Sequence, residues 1–271
     1  MNEILKGKTE RVITLKDVNL RYCGEKGEVI ALQNINLDIK EGEFICVLGP
    51  SGCGKSTLLK IIAGFLKPSD GEAKMDNEII SGPDWHRGVV FQSPTLYPWL
   101  NVHENVAFGL KMRKFPKNEL EQCTDKYLEL VGLKGFEKHK SYELSGGMKQ
   151  RASLARVLVN KPRVILMDEP FGALDALTRQ NMQTLIRKVW DKTENTVFLI
   201  THDVDEALAL GTRIIVMSSR PGKIIREFDT NFTYNISDVN HENIRYTSKY
   251  MDIREEILDI IKCQNEELKF S

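Results

Sequence analysis

Four short, uninterrupted apolar runs mark the chain: Phe44-Ile45-Cys46-Val47-Leu48, Val164-Ile165-Leu166-Met167, Thr196-Val197-Phe198-Leu199-Ile200 and Ile214-Ile215-Val216-Met217. Continuous runs of this length predict strands buried on both faces, hence a mainly parallel sheet covered by helices. The first forty residues instead alternate apolar and polar positions, as in Val12-Ile13-Thr14-Leu15 and Ile35-Asn36-Leu37-Asp38-Ile39. That alternation predicts an antiparallel, half-exposed N-terminal subsheet. Helical patterns follow Lys55 to about Ala63, Gly146-Gly147 to about Val159, Ala176 to about Trp190, and Asp203 to about Leu210. Residues 94 to about 143 are rich in helix formers, with prolines at 94, 98 and 116, and predict a helical insertion. After Pro221-Gly222 the chain turns polar, and then Met251, Ile253, Ile257, Ile260 and Ile261 predict an amphipathic helix. Such a helix either packs on the parent domain or binds a partner.

Composition narrows the class without choosing a function. The 271 residues are 41% hydrophobic and 28% charged, ordinary for a globular protein. Thirty-eight basic residues balance thirty-eight acidic ones, which removes the global electrostatic argument for a nucleic-acid binder. No stretch approaches the roughly 18–20 apolar residues that cross a bilayer, and residues 1–8 lack the apolar run of a secretory signal. The five cysteines, Cys23, Cys46, Cys53, Cys123 and Cys263, are scattered without zinc or disulfide spacing. Reduced thiols in a cytoplasmic protein are expected, so any work at a membrane is done from the water side.

Chemistry collects where the apolar runs end, the edge at which open α/β sheets bind ligands. Gly49-Pro50-Ser51-Gly52-Cys53-Gly54-Lys55-Ser56-Thr57 fits G-x-x-x-x-G-K-[ST] between a buried strand and a helix. Its glycines let successive N–H groups turn inward at phosphate oxygens, and the helix N-terminus adds partial positive charge. Lys55 is expected to reach the β- and γ-phosphates of ATP, and the Ser56 hydroxyl to ligate Mg²⁺. A fortuitous glycine turn is the bland alternative, and kinases and GTPases share this loop. Asp168, carried out at the end of its strand, is expected to hold the metal. Glu169, its neighbour on the opposite side of the strand, is the candidate to orient and deprotonate the attacking water. Gln92 occupies a similar strand end and could offer its amide oxygen to Mg²⁺. His202, after Ile200-Thr201, is either a structural histidine or a sensor of the γ-phosphate.

Leu144-Ser145-Gly146-Gly147-Met148-Lys149-Gln150-Arg151 decides the family. With the phosphate loop, Gln92, Asp168-Glu169, Ala173-Leu174-Asp175 and His202 in this order, residues 10–225 resemble the nucleotide-binding subunit of an ABC transporter. The resemblance implies a P-loop NTPase (RecA-like) α/β core, with an N-terminal antiparallel β subdomain and a helical signature subdomain at about 94–160. Residues 226–271 then form a C-terminal extension. Ser145, Gly146 and Gly147 open a helix whose free N–H groups make an anion site without a metal. In the family that site closes over the ATP held by a second copy, giving a head-to-tail dimer with two ATPs in its interface. Asp175 would contact the partner copy, and Tyr22 matches the aromatic that stacks on adenine, though an ordinary strand aromatic fits equally.

Met148 departs from the glutamine usual at the fifth signature position, while the helix-end geometry rests on Ser145 and the two glycines. Residues 91–99 (FQSPTLYPW), Val102-His103-Glu104-Asn105-Val106, residues 170–179 and Ser219-Arg220-Pro221-Gly222 look like subunits of nitrate, sulfonate and taurine importers. The resemblance implies an ATPase that drives uptake of a small solute, with membrane permease subunits, indirectly a solute-binding protein, and a place on the cytoplasmic face of the membrane. The segment from Gln92 to about Gly109 would receive a short helix of the membrane subunit on exposed Tyr97, Pro98 and Trp99; Trp99 plugging the helical subdomain is the other reading. A soluble ABC ATPase of DNA or ribosomes is the competing function. Against it, only about fifty residues separate Gln92 from the signature, without sustained heptads.

Overall fold

The structure, a computed structural model, describes residues 10–24, 27–193, 195–230, 232–235 and 247–270. The chain forms two compact units. One runs through Pro83 and resumes at Thr196, and the other is Asp84–Asn195.

The first unit opens with a long hairpin, β1 (Arg11–Gly24) against β2 (Gly27–Lys40). With β4 (Asp70–Met75) and β5 (Glu78–Ile79) it makes an antiparallel sheet ordered β2-β1-β4-β5. This is the half-exposed subsheet that the alternation predicts. Leu15 and Val18 are both buried although they lie three positions apart, which in a regular strand would put them on opposite faces, because the β1–β2 register shifts between them. Asp17, inside that bulge, sits at φ +49°, and its carbonyl passes so close to Gly71 that a Cβ there would overlap it. Glycine at the second position of β4 is thus a requirement of the bulge.

The second sheet of this unit is ordered β10-β9-β3-β8. β3 (Phe44–Leu48), its five residues all buried, runs parallel to both β8 (Thr196–Ile200) and β9 (Arg213–Met217). β10 (Ile224–Asp229) closes this edge antiparallel to β9. α1 (Lys55–Ala63) buries Leu58, Leu59, Ile61 and Ile62 and ends at Gly64 in the left-handed conformation. α6 (Val204–Leu210), the short α7 (Phe232–Asn235) and α8 (Ser248–Phe270) complete the unit.

The predicted amphipathic helix therefore exists as α8, and it packs on its own unit. Among its described side chains Ile257 and Tyr250 are fully buried, whereas Met251 is exposed and Ile253, Ile260 and Ile261 are half-buried. Polar ties replace the broad apolar stripe. The Tyr250 hydroxyl donates to Asp205 (3.0 Å), and Arg254 forks onto both oxygens of the same carboxylate at 2.9 and 3.2 Å.

In the second unit β6 (Arg87–Val90) pairs parallel with β7 (Val164–Asp168). α2 (Val102–Met112), α3 (Lys117–Leu130), α4 (Gly146–Leu158) and α5 (Ala176–Thr193) supply its helices. α2 begins in a capping box, Asn101 accepting from Glu104 N–H and Glu104 from Asn101 N–H. Asn105, fully buried one turn later, accepts from Tyr97 N–H (2.7 Å) and donates to the carbonyls of Tyr97 (3.1 Å) and Asn101 (2.9 Å). One side-chain amide thereby fixes the loop that carries Tyr97, Pro98 and Trp99.

Candidate nucleotide site

In the first unit the phosphate loop joins β3 to α1, the context its spacing predicts. Gly49 lies at φ +154°, where a Cβ would meet the Met217 carbonyl at 2.8 Å. Gly54 caps α1 at φ +106°, where a Cβ would meet Leu32 Cδ2 at 2.8 Å and the Ala31 carbonyl at 2.9 Å. The end of β9 and the middle of β2 thus press on the loop from different sides. Lys55 is only 7% exposed. Its Nζ donates to the carbonyls of Gly49 (2.7 Å) and Pro50 (2.8 Å) and lies 3.8 Å from Cys53 Sγ. The ammonium therefore spans the loop it belongs to. Burial pushes the Cys53 thiol up, with Lys55 pulling weakly the other way, so the side chain is a neutral thiol packed under the loop. Ser51 and Gly52 are exposed at the crest, and Ser56 and Thr57 stand half-buried in the first turn of α1.

The same unit carries Tyr22 and His202. Tyr22 lies near the end of β1 opposite Val29 and is 45% exposed. Exposure of so large a ring leaves its face available for stacking. His202, also exposed, directly follows Thr201 beyond β8. The Thr201 hydroxyl donates to Glu206 (2.6 Å) and accepts from Asp203 N–H (3.1 Å), and Asp203 caps α6 through the N–H groups of Asp205 and Glu206. The backbone on both sides of the histidine is pinned.

The second unit carries Gln92, Ser145, Gly146, Gly147, Asp168, Glu169 and Asp175. Asp168 is the last residue of β7, as expected. Glu169 lies beyond the strand at φ +45°, so strand alternation does not set its direction; a left-handed turn before Pro170 does. A glutamate in that region is strained, and such strain collects at functional sites. Gln92 also lies past its strand, two residues beyond Val90, and its Nε2 donates to Glu169 Oε2 at 3.5 Å. Its Oε1 is left as the acceptor end of the amide.

Ser145 caps α4, its Oγ accepting from Met148 N–H (3.3 Å), and with Gly146 it is exposed. Gly147 is buried, and a Cβ there would meet Thr178 Cγ2 at 2.5 Å. The start of the signature helix therefore rests on the start of α5. Thr178 N–H in turn donates to Asp175 Oδ1 (3.0 Å), which holds that exposed carboxyl below the usual range. Nothing in the sequence marks Thr178, because its contact with Gly147 is a matter of helix packing, not of spacing. Arg220 and Gly222 belong in the sequence only to the family resemblance of Ser219-Arg220-Pro221-Gly222. In the structure Arg220 donates to the Gly52 carbonyl at 3.3 Å.

Ser56 in the first unit offers a hydroxyl, and Asp168 and Gln92 in the second offer a carboxylate and an amide oxygen, each a hard oxygen donor of the kind that suits Mg²⁺ better than a softer ion. No cluster of three or more histidine, cysteine or acidic side chains able to hold a metal occurs among the described residues. A hard, phosphate-sharing ion is the one this chemistry fits.

Comparison with known proteins agrees with these features. Residues 32–172 match the family described as ABC transporter. The Taurine import ATP-binding protein TauB of Jannaschia sp. (strain CCS1) is 47% identical, over 94% of this chain and 96% of the relative. The protein of the same name from Roseobacter denitrificans is 48% identical over the same shares. Among solved structures, a dimeric post-hydrolysis state of an ATP-binding cassette bound to ADP and Pi is 36% identical with a TM-score of 0.72, covering 81% of this chain and 99% of that one. Motifs, strand order and relatives of nearly equal length agree, and the chain belongs to the ABC transporter family.

Proposed function

We propose that the chain is the ATP-binding and ATP-hydrolysing subunit of a bacterial importer that takes up a small taurine-, sulfonate- or nitrate-like solute through separate membrane subunits. The observation that carries hydrolysis is Glu169, held at φ +45° with Gln92 beside its carboxylate. Import rests on relatives named for taurine import, matched along 94% of the chain.

Each residue has a chemical task in this reading. Loop N–H groups and Lys55 bind the phosphates, and Tyr22 stacks on adenine. Ser56, Asp168 and Gln92 are the residues that would hold Mg²⁺, which would neutralise charge on the phosphate oxygens. Glu169 accepts a proton from the attacking water, and His202 reads the γ-phosphate. Ser145, Gly146 and Gly147 supply an anion site to the ATP of a second, head-to-tail copy, with Asp175 at that interface. The related cassette structure is itself dimeric, which supports this assembly.

Docking to a permease helix is favoured by the loop that Asn105 fixes. Trp99 is 69% exposed, so it does not plug the helical subdomain, while Tyr97 is half-buried between Trp99 and Phe108, with ring centroids at 5.4 and 4.7 Å. Nearby a cavity of about 340 Å³ is lined by Trp85, Met112, Arg113 and Arg156, among others, with Arg113 stacked 3.9 Å above Trp85. Apolar rings flanked by arginines suit an amphipathic helix. No described helix is long and apolar enough to cross a membrane; the peripheral place on the cytoplasmic face rests on the relatives named as import ATP-binding proteins. Reconstitution with its permease and binding protein tests the reading: taurine uptake into vesicles requires ATP and this chain. Absence of Mg²⁺-dependent hydrolysis by the reconstituted complex would defeat it.

A further inference from the structure

The phosphate loop is braced by a turn that the motif does not contain. Between β9 and β10 the chain makes a tight return over residues 218–223, closed by Ser218 N–H to the Lys223 carbonyl (2.9 Å). Gly222 packs so closely under the loop that a Cβ would overlap the Cys53 carbonyl oxygen. Its backbone is held from the other side, donating to the Ala31 carbonyl (3.0 Å) and accepting from Gln33 N–H (3.0 Å). Arg220 reaches over to the Gly52 carbonyl at 3.3 Å. The turn thus meets the loop both under its buried cysteine and at its exposed crest.

That turn is held by α8. Gln264 Oε1 accepts from Ser219 N–H at 2.9 Å and from the Ser219 hydroxyl at 3.3 Å. The other end of α8 is anchored by the Tyr250 and Arg254 bonds to Asp205, in the first turn of the helix that follows His202. The helix therefore spans from the segment behind His202 to the turn beneath the phosphate loop, and both contacts are polar and directional.

We propose that Gln264 is a positioning residue for nucleotide binding, holding the 218–223 turn, and through Gly222 and Arg220 the phosphate loop, in the shape that receives phosphate. The proposal rests on the reading of this loop as the ATP site. A loop already in its bound shape loses less conformational freedom on binding, so loosening the brace weakens affinity. Losing Gln264 loosens the loop before nucleotide arrives and removes no group that takes part in the chemical step, so the loss falls on KM and not on kcat.

The experiment compares the wild-type chain with Gln264→Leu and Gln264→Glu, measuring ATP affinity by titration, KM and kcat for hydrolysis, and the thermal midpoint. Leucine removes the acceptor at similar size, and we expect KM and the ATP Kd to rise about three- to tenfold with kcat within about twofold. Glutamate keeps an acceptor oxygen and should restore most of the lost affinity. A Gln264→Leu chain with wild-type ATP affinity overturns the proposal, even if its melting point falls, because that would be a purely structural role. Should the leucine variant not fold, Arg220→Met breaks the brace at the crest, and unchanged affinity there is equally fatal. A wild-type chain that binds no ATP would instead sink the function on which the proposal rests.

Discussion

Gln92 and Glu169, 77 positions apart in sequence, meet amide nitrogen to carboxylate oxygen at 3.5 Å just beyond the ends of two parallel strands. The contact orients the carboxylate without neutralising it, as the role proposed for Glu169 as a base requires.

Exchange of that carboxylate for an amide removes the proton acceptor and keeps the shape. Glu169→Gln should bind ATP normally and lose turnover by roughly a hundredfold or more. It should also accumulate as an ATP-bound dimer on size exclusion. Turnover near that of the wild type would remove Glu169 from its role.

Lys55 stands in for a different kind of loss. Lys55→Ala deletes the ammonium that spans Gly49 and Pro50, and with it the charge proposed to meet the phosphates. Charge-assisted hydrogen bonds contribute about 1.5–3 kcal/mol, so ATP affinity should fall about ten- to a hundredfold. Isothermal titration reads this directly.

Ser145→Arg should leave ATP binding by the monomer intact and prevent closure of two copies, since Ser145 and Gly146 are exposed at the helix start. The check is cooperativity of hydrolysis with protein concentration: a variant that still hydrolyses cooperatively means the signature does not meet the partner's nucleotide.

Packing beneath the signature makes a separate prediction. Gly147→Ala places a methyl against Thr178 Cγ2, and overpacking of this kind costs about 1–3 kcal/mol. Adding Thr178→Ser removes the opposing methyl. The double variant should recover most of the loss in thermal midpoint and ATPase rate, a coupling that independent sites would not show.

Thiol chemistry tests the state of Cys53. Burial raises its pKa, so it remains a protonated thiol at neutral pH and becomes a thiolate only as pH rises above the ordinary range. Brief alkylation at neutral pH should modify exposed Cys23 and Cys263 and leave Cys53 intact, as read by peptide mass spectrometry. Rapid labelling of Cys53 would contradict the buried thiol.

Much of the scaffold was legible because uninterrupted apolar runs admit few alternatives: β3 and β8 occupy the predicted residues. β10 was not, since it is an edge strand in which Phe228 is the one buried side chain while Arg226 and Glu227 face water. Local motifs placed the phosphate loop and Asp168, because their residue types and spacing are contiguous in the sequence. Glu169 departed from strand alternation because its φ of +45° is imposed by the turn around it, which a one-dimensional pattern does not encode. The sequence predicts Tyr97 on the surface, whereas it is half-buried, because Asn105 draws its backbone onto α2. Contacts such as Gly147 with Thr178, or Ser219 with Gln264, carry no sequence signal at all.

The brace beneath the phosphate loop also has a consequence for the order of folding. Arg220 and Gly52 lie 168 positions apart, and closing so long a loop comes late and slowly in the search for the native state. The glycine-rich segment can curl locally, but its finished shape waits for β2, β9 and the turn to arrive. Nucleotide capture then marks the completed fold, and ATP at cellular excess stabilises only chains that have reached it.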